Sequence, residues 1–234
     1  MKLLIAACSV LLMSGCTNMG QAPWAGFAGT SSCSKPSADQ ELSLNFADEM
    51  ANDGKLHASL ANLQNQADNL PQVRLRKAKV YRLLGRSEAE PLYRSLLGTC
   101  LAAEGEHGLG QLAVAKGDNE QATAHLQRAA KLAPTDEKIR NDLGVVYLNQ
   151  LRMEDARFEF LTAMELNQSS SLAAVNMVTL LIYQDNWKQA SQFVSRFNLS
   201  PEQFSQAQDR AKQLKGSAKA QVATVSDARQ APVK

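Results

Sequence analysis

The chain of 234 residues carries 25 Lys and Arg against 23 Asp and Glu, with 44% hydrophobic, 21% charged and 6% aromatic residues. Such a composition can bury a core, which excludes wholesale disorder, a collagen-like fibre and a multi-span membrane protein. A formal net charge of +2 leaves no basic excess to neutralise many phosphates, so nucleic acid is excluded as the main partner.

Lys2 precedes an apolar run from Leu3 to Met13, broken only by Cys8 and Ser9, and Ser14-Gly15 closes it. A charged start, a short apolar stretch and a small-residue exit are the anatomy of a cleaved export signal, too short to remain as a spanning helix. Residues 1–15 are therefore read as a signal peptide. Met13-Ser14-Gly15-Cys16 resembles the bacterial lipobox, with Met13 where leucine is commoner. That resemblance implies cleavage before Cys16 and three acyl chains on the new terminus, palmitate among them. At about 0.8 kcal/mol per buried methylene, several chains hold a protein on a bilayer almost permanently. Thr17 is not the aspartate that retains such lipoproteins at the inner membrane, so the resemblance implies an outer-membrane anchor facing the periplasm.

Loss of the signal removes Cys8, and with Cys16 acylated only Cys33 and Cys100 remain. In an oxidising compartment these two either pair or stay as separate thiols, Cys33 in a linker and Cys100 in an inter-helix turn. No cysteine pair has zinc-ligand spacing, so no metal is expected. From Thr17 to Ser37 the chain is rich in Gly, Ser, Thr, Pro and Ala and has no period. Residues 16–37 are read as the acylated cysteine and a flexible tether.

Between Ala103 and Gln168 the sequence matches itself under one shift. Leu109, Gly110, Ala122, Leu126 and Ala129 return as Leu143, Gly144, Ala156, Phe160 and Ala163, each displaced by 34, and Pro134 closes the first copy. A further shift gives Met177, Val178, Ala190, Val194 and Phe197, where apolar character persists but two small residues have become large. Each copy holds two helical stretches, with Gly110 and Ala122 where they cross so that the backbones approach. Weaker copies lie upstream, around Tyr81, Gly85, Ala89, Tyr93 and Leu96, and around Phe46, Ala47, Gly54, Ser59, Leu63 and Pro71. The turn glycines Gly54, Gly85 and Gly117 keep a similar spacing. Pro91 follows Ser87-Glu88-Ala89-Glu90, an arrangement that predicts a capping box and places the proline in a first helical turn. Pro134 is expected at the start of the next unit, where its missing donor is unneeded.

This pattern resembles the tetratricopeptide (TPR) repeat, which has the same period. The expected architecture is an all-α solenoid of about five helical hairpins over residues 38–215, because a single hairpin cannot bury its own apolar face. Ser200-Pro201-Glu202-Gln203 predicts a capped terminal helix to about Lys215 that covers the last hairpin. Residues 216–234 are expected to be a disordered tail.

No catalytic motif is found. His57, His107 and His125 are the only groups that ordinarily titrate near neutrality, and none sits in a nucleophile or metal-ligand pattern. Gly105-x-x-Gly108-x-Gly110 imitates a phosphate loop, but no strand precedes it and Gly110 already belongs to the repeat. Glu120, Glu154 and Asp155 fall in early turns of second helices, where acids complement the helix dipole. The protein is expected not to be an enzyme and to need no cofactor and no small-molecule substrate.

The TPR resemblance implies a concave groove, lined by first helices, that takes a protein segment. Carrying over the family's groove positions gives Gln72, Lys79 and Arg82; His107, Gln111 and Val114; Lys138, Asn141, Val145 and Leu148; and Val175, Thr179 and Ile182. Cations and amides prevail early in this series and aliphatic side chains later, which predicts docking of an apolar or amphipathic segment at the carboxy-terminal half. Burial against a neighbouring hairpin is the other reading of Val145, Leu148 and Ile182. His107 and Gln111 stand where chaperone-tail binders of this family have Lys and Asn, so such tails are disfavoured.

Signal, lipobox, tether, hairpins and tail, together with Glu106-His107-Gly108-Leu109-Gly110, Asn141-Asp142-Leu143-Gly144-Val145 and Asn176, resemble the TadD-type lipoproteins of tight-adherence (Flp) pilus assembly. That resemblance implies a pilotin-like adaptor that binds the secretin or another pilus component and meets the membrane through its lipid. Two other readings stay open. One is a TPR lipoprotein that scaffolds peptidoglycan enzymes or serves as pilotin of another type IV pilus; the other is an enzyme acting through His107.

Overall fold

The computed structural model describes residues 33–230, with the backbone alone for 219–230. The expected signal peptide, acylated Cys16, the tether up to residue 32 and the chain end beyond 230 lie outside the described residues. Eleven helices follow one another: α1 (Ala38–Asn52), α2 (Leu56–Gln64), α3 (Pro71–Leu83), α4 (Ala89–Arg94), α5 (Ala102–Ala115), α6 (Asn119–Leu132), α7 (Glu137–Asn149), α8 (Met153–Leu166), α9 (Ser171–Tyr183), α10 (Trp187–Arg196) and α11 (Pro201–Gln230). The first ten pack as five successive hairpins, and each second helix rests on the first helix of the next hairpin. These are the stacked hairpins of an all-α TPR solenoid, with α11 as its capping helix.

The hairpin turns explain the glycine spacing. Gly54, Gly85 and Gly117 have φ of +77°, +68° and +76°, the left-handed conformation that a residue without Cβ adopts at little cost. The next two hairpins place Leu151 (φ +60°) and Asp185 (φ +58°) at the same point. Polar caps then start several helices: the side chains of Asp118, Asp136 and Asn186 accept from backbone amides of α6, α7 and α10. At α11 the expected capping box forms, with Gln203 N donating to Ser200 Oγ (3.2 Å) and Ser200 N to Gln203 Oε1 (2.9 Å).

The small residues lie where the helices approach most closely. A Cβ on Gly110 would fall 2.6 Å from Leu126 Cγ, and one on Gly144 2.6 Å from Phe160 Cε1. Leu126 and Phe160 are fully buried, so each ring or branch fills the space the absent methyl leaves. The other glycines of the imitation phosphate loop are packing sites too: a Cβ on Gly108 would meet the Tyr93 ring at 2.1 Å.

Three details differ from the sequence reading. Ser87 and Glu90 do not form a capping box; Glu90 instead takes Arg94 (2.8 Å), one turn later, and Lys116 (2.8 Å), at the end of α5, which hold its carboxylate. Pro134 lies in the α6–α7 connection ahead of the Asp136 cap, where its carbonyl accepts from Arg140 Nε (2.9 Å). The terminal helix does not end near Lys215 but continues to Gln230, since Ala, Gln and Lys beyond Gly216 are good helix formers. Cys33 and Cys100 are disulfide-bonded with their Cα atoms 5.4 Å apart, which ties the chain ahead of α1 to the α4–α5 connection.

Candidate functional site

First helices of successive hairpins touch one another, α1 to α3, α3 to α5, α5 to α7 and α7 to α9, whereas the second helices do not stack in this way. The first helices therefore line the inner, concave side. Their crossing brings two pairs 35 positions apart together. His107 Nε2 lies 2.7 Å from Asp142 Oδ2, and Asn176 Nδ2 donates to Asn141 Oδ1 at 2.8 Å. Gln111 Nε2 also donates to Asp142 Oδ2 (2.8 Å), and Asn141 Nδ2 to Asp142 Oδ1 (3.2 Å). A polar ladder thus crosses α5, α7 and α9. Burial alone would raise the Asp142 carboxyl, but the hydrogen bond and charge of His107, with the Gln111 and Asn141 amides, hold it below its ordinary value.

Gln72 apart, the expected groove residues divide into two sets. Lys79, Arg82, His107, Gln111, Val114, Lys138, Val145 and Val175 are exposed or half-buried. Asn141, Leu148, Thr179 and Ile182 are at most 4% exposed and are not available to a partner in this structure. Gln72 is committed elsewhere, its Nε2 donating to Ser34 O (3.1 Å).

Asn141 is enclosed where α7 meets α9, bonded to Asp142 and Asn176, whereas Leu148 and Ile182 share their buried core with α11. Its stripe Ala207, Ala211 and Leu214 is buried in the same core as Leu148 and Ile182, and α11 packs principally on α9. Gln203 Nε2 bonds Ser171 Oγ (2.9 Å), Lys215 Nζ bonds Asp185 Oδ1 (2.6 Å), and Arg210 reaches back to Asn149 at the end of α7. The capping helix therefore leans across the inner face of the last two hairpins, and the carboxy-terminal half of the groove is filled by the chain itself.

What stays open lies between α3, α5 and α7. Arg82, Gln111, Val114, Asp142 and Val145 rim a pocket of about 270 Å³ that reaches Leu126. Beside it stands Lys79, open to solvent yet surrounded by the concave wall. Loss of hydration there lowers its ammonium pKa, with Arg76 and Lys138 acting in the same sense and Asp48 and Glu104 opposing.

A family model for the TPR repeat matches residues 110–150. The TPR repeat-containing protein PA4299 of Pseudomonas aeruginosa is 39% identical over 209 residues, which cover 89% of this chain and 83% of that one. The chain belongs to the TPR repeat-containing protein family. PilF of Pseudomonas aeruginosa is a structural match with a TM-score of 0.59 at 17% identity, covering 77% of this chain and 90% of that one. YrrB, described as a TPR protein with an unusual peptide-binding site, matches with a TM-score of 0.50 at 18% identity, covering 71% and 90%. At these identities the likeness to both structures is one of fold.

In this TPR protein the sequence reading missed Asp142 and Asn176 as inner-face partners, and the signal for them was the offset of 35 rather than 34. Among the described residues, no group of three or more His, Cys, Asp or Glu is placed to hold a metal ion, and no helix is long and apolar enough to cross a membrane.

Proposed function

We propose that this TPR protein is a lipid-anchored, pilotin-like adaptor of the outer membrane that serves a type IV-class pilus assembly apparatus and is not an enzyme. Acyl chains at Cys16 fix it to the periplasmic face, and the open part of the groove holds a segment of the secretin or of another assembly component. Holding the segment beside the anchor raises its effective concentration at the membrane. The observation that carries this reading is an open inner face on α3, α5 and α7, rimmed by Arg82 and Val145, in a chain whose residues 13–16 resemble a lipobox. The likeness in fold to PilF supports the pilus setting, and the likeness to YrrB supports a peptide as the occupant.

A narrower assignment, to the tight-adherence (Flp) apparatus, is favoured by Glu106 to Gly110, Asn141 to Val145 and Asn176. Most of these residues are engaged in packing or in the inner ladder, so they favour the TPR framework as much as one pilus.

The test is photo-crosslinking in cells from Lys138 and Val145, both accessible, together with Cys16→Ser. Capture of a secretin or pilus component, and loss of envelope location in Cys16→Ser, are expected. Unchanged secretin assembly and membrane location in Cys16→Ser overturns the tethering, and capture of a peptidoglycan enzyme instead overturns the pilus assignment.

A further inference from the structure

The groove's open window differs in character from what the sequence alone implies. With Leu148, Thr179 and Ile182 buried, Leu148 and Ile182 in one core with α11, the aliphatic end of the series is closed. The window that remains has Arg82 and Asp142 in its lining, with Lys79 on the same helix as Arg82 and Lys138 on α7. Among the described residues, Lys79, Arg82 and Lys138 have no ion-pair partner, and Arg82 makes only a long hydrogen bond to Tyr93 Oη (3.4 Å). The nearby acids are largely taken: Asp48 accepts from Arg76 Nε at 2.8 Å, and Asp142 is held by His107 and Gln111. Glu104 is the remaining carboxylate that acts on Lys79. Next to Arg82 sits a recess of about 270 Å³ whose apolar lining is Val114, Ala115, Leu126 and Val145.

We infer that the window between α3, α5 and α7 docks an acidic segment of a partner protein, one aliphatic side chain seated against Val114 and Val145 and its flanking carboxylates meeting Lys79, Arg82 and Lys138. Charge complementarity selects this occupant. Lys79 is partly desolvated on the concave wall and repelled by Arg76 and Lys138, with Asp48 and Glu104 only opposing this in part, so an incoming carboxylate adds stabilisation. A basic segment would meet Lys79, Arg82 and Lys138, cations without an ion-pair partner among the described residues, and be rejected. This inference rests on the groove being the partner site and adds which chemistry it reads.

The test uses the full chain and short fluorescein-labelled peptides of equal length, each with a central leucine flanked by aspartates, by glutamines or by lysines, and reads anisotropy. The aspartate peptide is expected to bind at least about tenfold more tightly than the glutamine peptide, with the lysine peptide weakest. Lys79→Glu with Arg82→Glu is expected to invert that order, and Val145→Asp to abolish binding of the aspartate peptide. An unchanged far-ultraviolet circular dichroism melt shows that the variants remain folded. Equal binding of the three peptides, binding of none, or an order unmoved by the double charge reversal overturns the inference. Crosslinking of a pilus component from Val145 without any charge preference leaves the adaptor reading standing and removes this one. A charge preference in vitro without a captured pilus component does the reverse.

Discussion

Glu106 and Arg140 stand at the same place in successive repeats, 34 residues apart, and carry opposite charges. Each reaches across its own hairpin to the residue 19 positions later: Glu106 Oε2 meets His125 Nδ1 at 2.6 Å, and Arg140 Nη1 meets Glu159 Oε2 at 3.2 Å. Arg128 Nε adds a second contact to Glu106 at 2.8 Å. Both carboxylates are buried, but their surroundings push them in opposite directions. Burial raises Glu106, and Arg128 with His125 more than compensates, so its pKa falls below the ordinary value. For Glu159 burial outweighs Arg140, and its pKa rises.

Linkage turns this opposition into opposite pH slopes. A lowered carboxyl contributes stability that is present above its unfolded value of about 4.3 and is lost as pH falls through the lower folded value. A raised carboxyl imposes a penalty that sets in as pH rises from the unfolded value to the higher folded one. Relative to wild type, Glu106→Gln should lose stability as pH increases from acid to neutral, reaching a deficit of about 1–3 kcal/mol. Glu159→Gln should gain relative stability over the same interval. Urea midpoints of both variants at a series of pH values read this, and slopes of the same sign for the two would contradict it.

The Gly144–Phe160 contact predicts a strong coupling. A methyl on Gly144 lands 2.6 Å from a ring carbon of fully buried Phe160, which has no free volume to enter. Overpacking of about 1–3 kcal/mol should exceed the helix-propensity gain of about 1 kcal/mol, so Gly144→Ala destabilises. The next repeat shows the remedy, since Val178 and Val194 occupy the equivalent positions: bulk has moved from the second helix to the first. Gly144→Ala should therefore cost less in a Phe160→Val background, with a coupling above about 1 kcal/mol in a double-mutant cycle. Additive effects would remove the explanation.

That exchange also shows what the sequence made legible and what it did not. The repeat from Leu109 to Ala163 was readable because Gly110 and Gly144 face Leu126 and Phe160 in one register, and a small residue opposite a large one leaves a fixed spacing. The copy around Met177 looked degenerate because its complementary pair had been exchanged, although Met177 and Val178 are fully buried in the same way. Hairpins one and two were legible through Gly54 and Gly85, whose left-handed turns tolerate few other residues. The groove was less legible. Helical period places Thr179 and Ile182 on the inner face, but whether a face is open depends on what lies over it, and α11 arrives from residues 201 onward. No local pattern in α9 reports that.

Leu151 carries the turn that glycine makes in the first three hairpins. Its φ of +60° puts Cβ close to the following carbonyl, at a cost of roughly 1–2 kcal/mol for an ordinary residue. Leu151 is only half-buried, so little apolar packing opposes its replacement. Leu151→Gly should raise the melting temperature by a few degrees, consistent with about 1 kcal/mol. Gly117→Leu, the converse change, should lower it. An unchanged or lower melting temperature in Leu151→Gly would show that its side-chain contacts outweigh the strain.

The Cys33–Cys100 bond spans 67 residues and therefore restricts the unfolded chain strongly. Chain-entropy reasoning gives about 4 kcal/mol for a loop of this length. Reduction, or Cys100→Ser, should lower the urea midpoint without altering the helical content of the folded state. The effect should concentrate in α1 to α4, the hairpins inside the loop, when followed by hydrogen exchange. Equal stability of the oxidised and reduced protein would exclude this contribution.

The seat of α11 on α9 sets the last expectation. Ala207, Ala211 and Leu214 recur at helical spacing and are buried, while of the polar ties at each end Gln203 to Ser171 is half-buried and Lys215 to Asp185 is exposed. Exposed ion pairs contribute under about 1 kcal/mol, so Lys215→Ala should leave α11 in place. Ala211→Glu should not, because Ala211 is buried against its neighbours and forcing a carboxylate out of water into that stripe costs several kcal/mol. Hydrogen exchange should then show α9 amides losing protection together with α11, while α3 and α5 keep theirs. The newly uncovered Leu148 and Ile182 would lengthen the apolar part of the groove, and an environment-sensitive apolar dye should bind Ala211→Glu more strongly than wild type. If α9 keeps full protection in Ala211→Glu, the capping helix is not what closes that end of the groove.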